Sequence, residues 1–214
     1  HERSLISGNG GPAFWQETFA AAWGAFSRRA SEAVRTRLGD ESLAVRYYAQ
    51  KSADSWALPL QEVADFRLMC LLRDPRDVWV SSVAFHHRRA AEGDSFLPLS
   101  ADQSEEELLK RFIEDQRQRL RWLANVEERL GAPVIRYESL IKDLPGEAER
   151  IGAWLGVHLD AEAVARRRGE YAGHVTAGSI EQSVGRWRRE MSPEVAALFW
   201  GAMGSELEQL GFES

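Results

Sequence analysis

Leu71-Leu72-Arg73-Asp74-Pro75-Arg76-Asp77-Val78-Trp79-Val80-Ser81 is the stretch on which the reading of this chain turns. The run from Phe66 to Leu72 is apolar enough for a buried strand, and polarity rises abruptly at Arg73. Asp74 stands where a helix N-cap belongs, Pro75 at the first helical position, and Asp77 three residues after the cap in a capping-box-like arrangement. The pattern predicts a strand, a tight turn and a helix that starts at Pro75. Ser81 lies seven residues past Asp74, about two turns at roughly 3.6 residues each, so its hydroxyl falls on the face that begins at the cap. Arg73 ends the strand, at the edge where open α/β sheets place ligands. A helix N-terminus beside an arginine suits a phosphate.

Composition bounds what surrounds this stretch. A chain of 214 residues suits a single α/β domain spanning 1–214 with a sizeable core. Eight Trp and nine Phe supply a packed interior and some aromatic lining for a cleft. The net charge of −6 argues against a general nucleic-acid binder, so an anionic ligand must be met by locally clustered arginines. The one cysteine, Cys70, falls in the predicted strand, which excludes an intrachain disulfide and a thiolate zinc cluster and fits a reducing compartment. There is no apolar run of around twenty residues and no signal-peptide pattern. The expectation is a cytoplasmic protein with no membrane partner; no feature bears on oligomeric state.

Outward from the central stretch, the pattern alternates between helix and strand. Arg3 to Ser7 reads as a short strand broken by Gly8-Asn9-Gly10-Gly11. From Pro12 to Leu38, Phe14, Phe19, Ala22, Trp23 and Phe26 recur at helical spacing, predicting a core-facing helix. Ser42 to Tyr48 reads as a second strand leading to Gln50-Lys51-Ser52, and residues 90–104 as a loop that carries Phe96 and Leu97. Ser104-Glu105-Glu106-Glu107 opens a long helix with a stripe of Leu108, Phe112, Gln116, Leu120 and Leu123, stopped by Gly131. Its Arg117 to Arg121 face reads as solvated. Pro133 to Leu140 is a buried strand turning into a helix, with Glu138 bracing the turn. Asp160 caps a short helix, residues 173–184 form a loop, and Ser192-Pro193-Glu194 starts a last helix that buries Leu198, Phe199, Met203 and Leu207.

Arg-Asp-Pro-Arg-Asp-Val with a serine eight positions after the first arginine resembles the 3′-phosphate motif of sulfotransferases that use 3′-phosphoadenosine 5′-phosphosulfate (PAPS). The resemblance assigns the 3′-phosphate to Arg73 and Ser81. Arg136-Tyr137-Glu138-Ser139-Leu140 followed by Trp154-Leu155-Gly156 is similar to a second family segment and gives Tyr137 the adenine. Gly185-Arg186-Trp187 and the ending Leu210-Gly211-Phe212 match a third, in which Arg186 is the second phosphate cation and Trp187 locks the loop over the nucleotide. Residues 180–182 do not reproduce the family's Arg-Lys-Gly triplet. Lys51 matches the family lysine that stands beside the bridging oxygen and offsets the charge of the departing phosphate.

Two departures qualify the match. The family's first strand runs into a loop that grips the phosphosulfate with backbone N–H groups and hydroxyls. Here Gly8 is in place, but Gly11-Pro12-Ala13-Phe14-Trp15 offers no Lys, Arg, Ser or Thr. Either the sulfonate-gripping half of the site is lost, or residues belonging between Gly10 and Gly11 are missing from this sequence; the intact remaining motifs favour the second. The family's base is also displaced, its histidine being Ala53 and its glutamate Gln50, which leaves Asp54 and the pair His86-His87 as candidates.

The resemblance implies a P-loop-kinase-like three-layer α/β domain with a short parallel sheet flanked by helices. It also implies an enzyme that passes sulfonate from PAPS to a hydroxyl or amine of a small-molecule acceptor, leaving PAP, without a metal. The aromatic content suits a hydrophobic or phenolic acceptor. The alternative is a PAP-binding or interaction module of the same fold that has lost transfer. A nucleotide kinase on this fold needs a complete P-loop and a magnesium-binding hydroxyl or carboxylate, which the sequence does not offer.

Overall fold

The computed structural model describes residues 67–93, 104–167 and 176–214, and helical positions between 21 and 36. The chain divides into two compact units, His1–Leu68 and Met69–Ser214. In the first, the described positions are helical, as the spacing predicts, and Thr36 Oγ1 donates to Glu32 O at 2.9 Å. Phe26, predicted to face a core, is 56 % exposed. Alanines at 21, 22 and 25 make this helix apolar around much of its girth, so spacing alone does not fix its buried face.

The second unit begins with strand β1 (Cys70–Leu72), helix α1 (Pro75–Ala91) and helix α2 (Glu105–Leu130). Strand β2 (Val134–Arg136) then pairs parallel to β1, with Cys70 opposite Val134, Leu71 opposite Ile135 and Leu72 opposite Arg136. The predicted strand from residue 66 shrinks to three residues. Cys70 and Leu72 are buried while Leu71 is 53 % exposed, the period-two alternation of a strand with one covered face. Helices α3 (Tyr137–Lys142), α4 (Leu144–Leu155) and α5 (Ala161–Arg167) follow, then a 3₁₀ turn at Glu181–Ser183, the single turn α6 (Trp187–Glu190) and α7 (Pro193–Gln209). Among the described residues this is a mostly helical α/β unit with a two-stranded parallel sheet. None of the described helices is long and apolar enough to cross a membrane.

Local chemistry accounts for the element ends. Ser104 and Glu107 form a reciprocal capping box at 3.2 Å, and Gly131 ends α2 at φ +60°, a conformation that favours glycine. Asp143 caps α4 by accepting from the Gly146 N–H at 3.0 Å, and a Cβ at Gly146 would lie 2.4 Å from the same carboxylate. Asp160 caps α5 through the Ala163 N–H, as predicted.

The core forms where α2 lies against α7. Phe199, Met203 and Leu207 of α7 meet Leu120, Leu123 and Val126 of α2, all essentially without exposure, and each is worth roughly 1.5–3 kcal/mol of burial. The predicted α2 stripe is one residue off in its first half. Leu109 and Ile113 are buried, and Leu108, Phe112 and Gln116 are only half-buried. Two adjacent apolar pairs, 108–109 and 112–113, offer two stripes of equal period, and packing chooses between them. Phe112 still joins three helices, 5.2 Å from the Trp79 ring of α1 and 6.1 Å from Phe199. Leu198, predicted inside, is 50 % exposed.

The arginine face of α2 is not simply solvated. Arg121 Nε donates to Glu206 Oε1 of α7 at 2.7 Å, Arg117 lies at 3.7 Å, and Ser205 Oγ donates to the other oxygen at 2.8 Å. Burial pushes the Glu206 carboxyl up, but these hydrogen bonds outweigh it and bring it down from 4.5 to about 2. A depressed carboxylate contributes stability that is full above its unfolded value and drains as pH falls through the folded one. Glu206→Gln should therefore lower unfolding free energy at pH 7 by about 1–2 kcal/mol, since its partner Arg121 is half exposed. In urea titrations the gap from wild type should close between pH 4.5 and 2.

Candidate functional site

The N-terminus of α1 carries three charged side chains that the fold spends in three directions. Asp74 caps the helix by accepting from the Arg76 N–H at 2.9 Å, with Pro75 in the first turn as predicted. The Arg76 guanidinium returns to Asp74 through two bonds of 3.0 and 2.9 Å, stacks 3.8 Å from the Trp187 ring and donates to Glu213 O at 2.6 Å. Asp77 does not close a capping box. Its Oδ2 accepts from Gly185 N–H at 2.7 Å and its Oδ1 from Trp187 N–H at 2.8 Å. The box needs the longer reach of Glu or Gln at this position, and here Glu138 at the start of α3 supplies it, taking the Asp74 N–H at 2.9 Å. Burial raises the Asp77 and Glu138 carboxyls above their ordinary values, against the pull of the amides bonded to them.

Four of the residues singled out in the sequence converge on one segment, 176–186. Arg73, at the end of β1, donates from Nη2 to Ser183 O at 2.8 Å and lies 4.7 Å from the Tyr137 ring centroid. The Tyr137 hydroxyl is 2.9 Å from Ser183 Oγ, and because Ser183 gives its own proton to Ile180 O, tyrosine is the donor. Ser81, two turns into α1, lies 3.0 Å from Thr176 Oγ1, and Arg186 Nη1 donates to that same hydroxyl at 2.9 Å. Ser183 thus gathers Arg73 and Tyr137, while Thr176 gathers Ser81 and Arg186. Arg186 is buried and holds Glu190 through Nε at 2.6 Å, a bond that keeps the Glu190 carboxyl below its ordinary value. Arg73 Nε is shut from solvent and has no hydrogen-bond partner among the described residues. Beside the cluster opens a cleft of about 490 Å³ lined by Thr176, Ala177, Gly178, Gln182, Arg186, Arg189 and Glu190.

The remaining assignments separate from this cluster. Trp187 is buried beneath Arg76, with its amide on Asp77, so its ring anchors the segment from the core side. His86 is half-buried five residues beyond Ser81, about 140° around α1, with its ring 6.0 Å from that of His87. Gly8, Lys51 and Asp54 lie outside the described residues, as do the loop positions Phe96 and Leu97. Sequence reasoning missed Thr176 and Ser183. The signal available was two hydroxyl residues in a Gly- and Ser-rich run just before Gly-Arg-Trp, where backbone-seeking side chains are common.

A family model for the sulfotransferase domain matches residues 57–211, well over half of the chain. This chain belongs to the sulfotransferase domain family. No curated protein and no solved structure matches it. The match takes in Arg73, Ser81, Tyr137, Thr176, Ser183, Arg186 and Trp187, and begins after Gly8, Lys51 and Asp54. In this sulfotransferase domain, the N-terminus of α1 and the segment before α6 are therefore joined within one family unit.

The Arg76 contacts predict a sharp stability effect. Arg76→Ala strands the Asp74 carboxylate in a site where Arg76 itself is 1 % exposed and bares one face of Trp187. The expected loss is about 3–5 kcal/mol in urea unfolding. Arg76→Lys, with no planar fork, should recover only part of it.

Proposed function

We propose that this sulfotransferase domain moves a sulfonate group from PAPS to a hydroxyl or amine of a small-molecule acceptor, on a P-loop-kinase-like fold. The observation that supports this most strongly is the convergence of Arg73, Ser81, Tyr137 and Arg186 on the single segment 176–186. Two guanidinium groups and the Ser81 hydroxyl, each bonded to this one segment, are donors of the kind an anion requires. The unpartnered Nε of Arg73 fits such a ligand, because a buried donor without an acceptor is costly until one arrives.

In this reading Arg73, Ser81 and Arg186 hold the 3′-phosphate, and Tyr137 orients the adenine. PAPS supplies an activated sulfonate whose bond to the bridging phosphate oxygen breaks as a bond to the acceptor forms. Lys51 neutralises the charge left on that oxygen, and Gly8 belongs to the turn that receives the phosphosulfate. The acceptor's proton needs a base, with Asp54 and His86 as the candidates. Arg73 serves two roles, since the guanidinium nitrogen bonded to Ser183 O fixes it while Nε remains for the ligand.

A second reading, a PAP-binding module without transfer, is favoured by the absence of gripping side chains in Gly11-Pro12-Ala13 and by Ala53 in the place of the family's histidine. Calorimetric titration with PAP, followed by assay of PAP release from PAPS with an acceptor panel, separates the two. The enzyme should bind and turn over; binding without release under any acceptor would favour the module. Arg73→Ala should weaken PAP binding by about 2 kcal/mol, some thirtyfold, through loss of a charge-assisted contact. Unchanged PAP affinity in that variant would count against the assignment.

A further inference from the structure

Asp77 is a charged side chain of the α1 N-terminus that the proposed function does not use, and its hydrogen bonds run to the segment that carries Arg186. It is 1 % exposed, yet among the described residues neither carboxylate oxygen forms an ion pair; both are taken by backbone amides. Those amides belong to Gly185 and Trp187, the residues on either side of Arg186. Gly185 sits at φ +64°, which turns alternate N–H groups toward one anion as in a backbone nest. A carboxylate so placed clamps the Arg186 peptide from both sides. The side chain clamped there reaches Thr176 Oγ1 at 2.9 Å, and Thr176 reaches Ser81.

We infer that Asp77 is a positioning residue that fixes Arg186 against Ser81, so that the second acid of Arg-Asp-Pro-Arg-Asp builds the far half of the phosphate site without touching the ligand. The ligand part of this statement rests on the nucleotide reading above; the clamp itself does not. Asp77→Asn tests it with almost no change in volume. An asparagine keeps one acceptor oxygen and turns an NH₂ toward the other amide, donor against donor.

PAP affinity is measured in Asp77→Asn, in Arg186→Ala and in the double variant, with thermal unfolding as the check on folding. If Asp77 acts through Arg186, Asp77→Asn weakens PAP at least about tenfold. In the Arg186→Ala background it then adds less than about twofold, because its effect has already been removed. A full additive loss, or no loss in Asp77→Asn, overturns the inference. Amide exchange on unliganded wild type gives an arm that needs neither a variant nor a nucleotide. The Gly185 and Trp187 amides should exchange at least about tenfold more slowly than that of Gly178 in the same segment, and equal rates overturn the clamp. If wild type fails to bind PAP, the nucleotide reading falls, while the exchange rates still decide whether Asp77 holds the segment.

Discussion

Two neighbouring charges with almost no access to water, Arg76 and Asp77, are both satisfied by chain more than a hundred residues away. A buried charge costs several kcal/mol unless it is paired and fully hydrogen-bonded. Arg76 has Asp74 beside it, but its stacking surface is Trp187 and its last acceptor is Glu213 O. Asp77 has no local partner for its oxygens; Gly185 and Trp187 are the source of its hydrogen bonds. The α1 N-terminus and the end of the chain must therefore form together. An arrangement with residues 183–187 elsewhere would leave a carboxylate stripped of water and unbonded. Folding stability thereby also sets the place of the segment that carries Arg186.

That coupling gives the candidate site its form. Arg73 precedes the cap of α1 and Ser81 lies two turns into it, and they are joined to the same segment, one through Ser183 and the other through Thr176. Tyr137 enters because α3 begins where β2 ends, and Glu138, next in line, holds the cap of α1. The parallel pairing of β1 and β2 puts both strand ends on one side, so Arg73 and Tyr137 come together by register: Leu72 opposite Arg136 makes the next residues neighbours. In a chain of net charge −6, Arg186 and Arg189 line the cleft beside this segment together with Glu190, and Arg73 is bonded to the segment itself.

What was legible in the sequence is what short-range chemistry decides. The Asp74 cap, Pro75, the helix start at Ser104, the Gly131 terminator and the Asp160 cap each depend on residues within one turn, and each is where the spacing puts it. The order of strand, two helices and strand could also be read, because the hydrophobic runs and their breaks are clear; that the two strands pair parallel was implied by the family resemblance alone. Long-range choices were not legible. Asp77 has the spacing of a capping acid, and only tertiary structure reveals that Glu138 takes that duty. The α2 stripe could run through Leu108 or Leu109, and α7 decides. Arg117 and Arg121 look like surface until Glu206 is brought against them. The family motifs carried information that local pattern lacked: they singled out Arg73, Ser81, Tyr137 and Arg186 from three separate stretches, though not the hydroxyls of Thr176 and Ser183 that tie them.

The central claim is that Arg73, Ser81 and Arg186 share one anion, with Tyr137 against the adenine of the same nucleotide. A crystal structure of the protein with PAP tests it most directly. The account predicts the 3′-phosphate within hydrogen-bonding distance of Arg73, Ser81 and Arg186, with the adenine ring against Tyr137. A nucleotide bound elsewhere, or a phosphate touching Arg73 while Ser81 and Arg186 remain closed on Thr176, would contradict it.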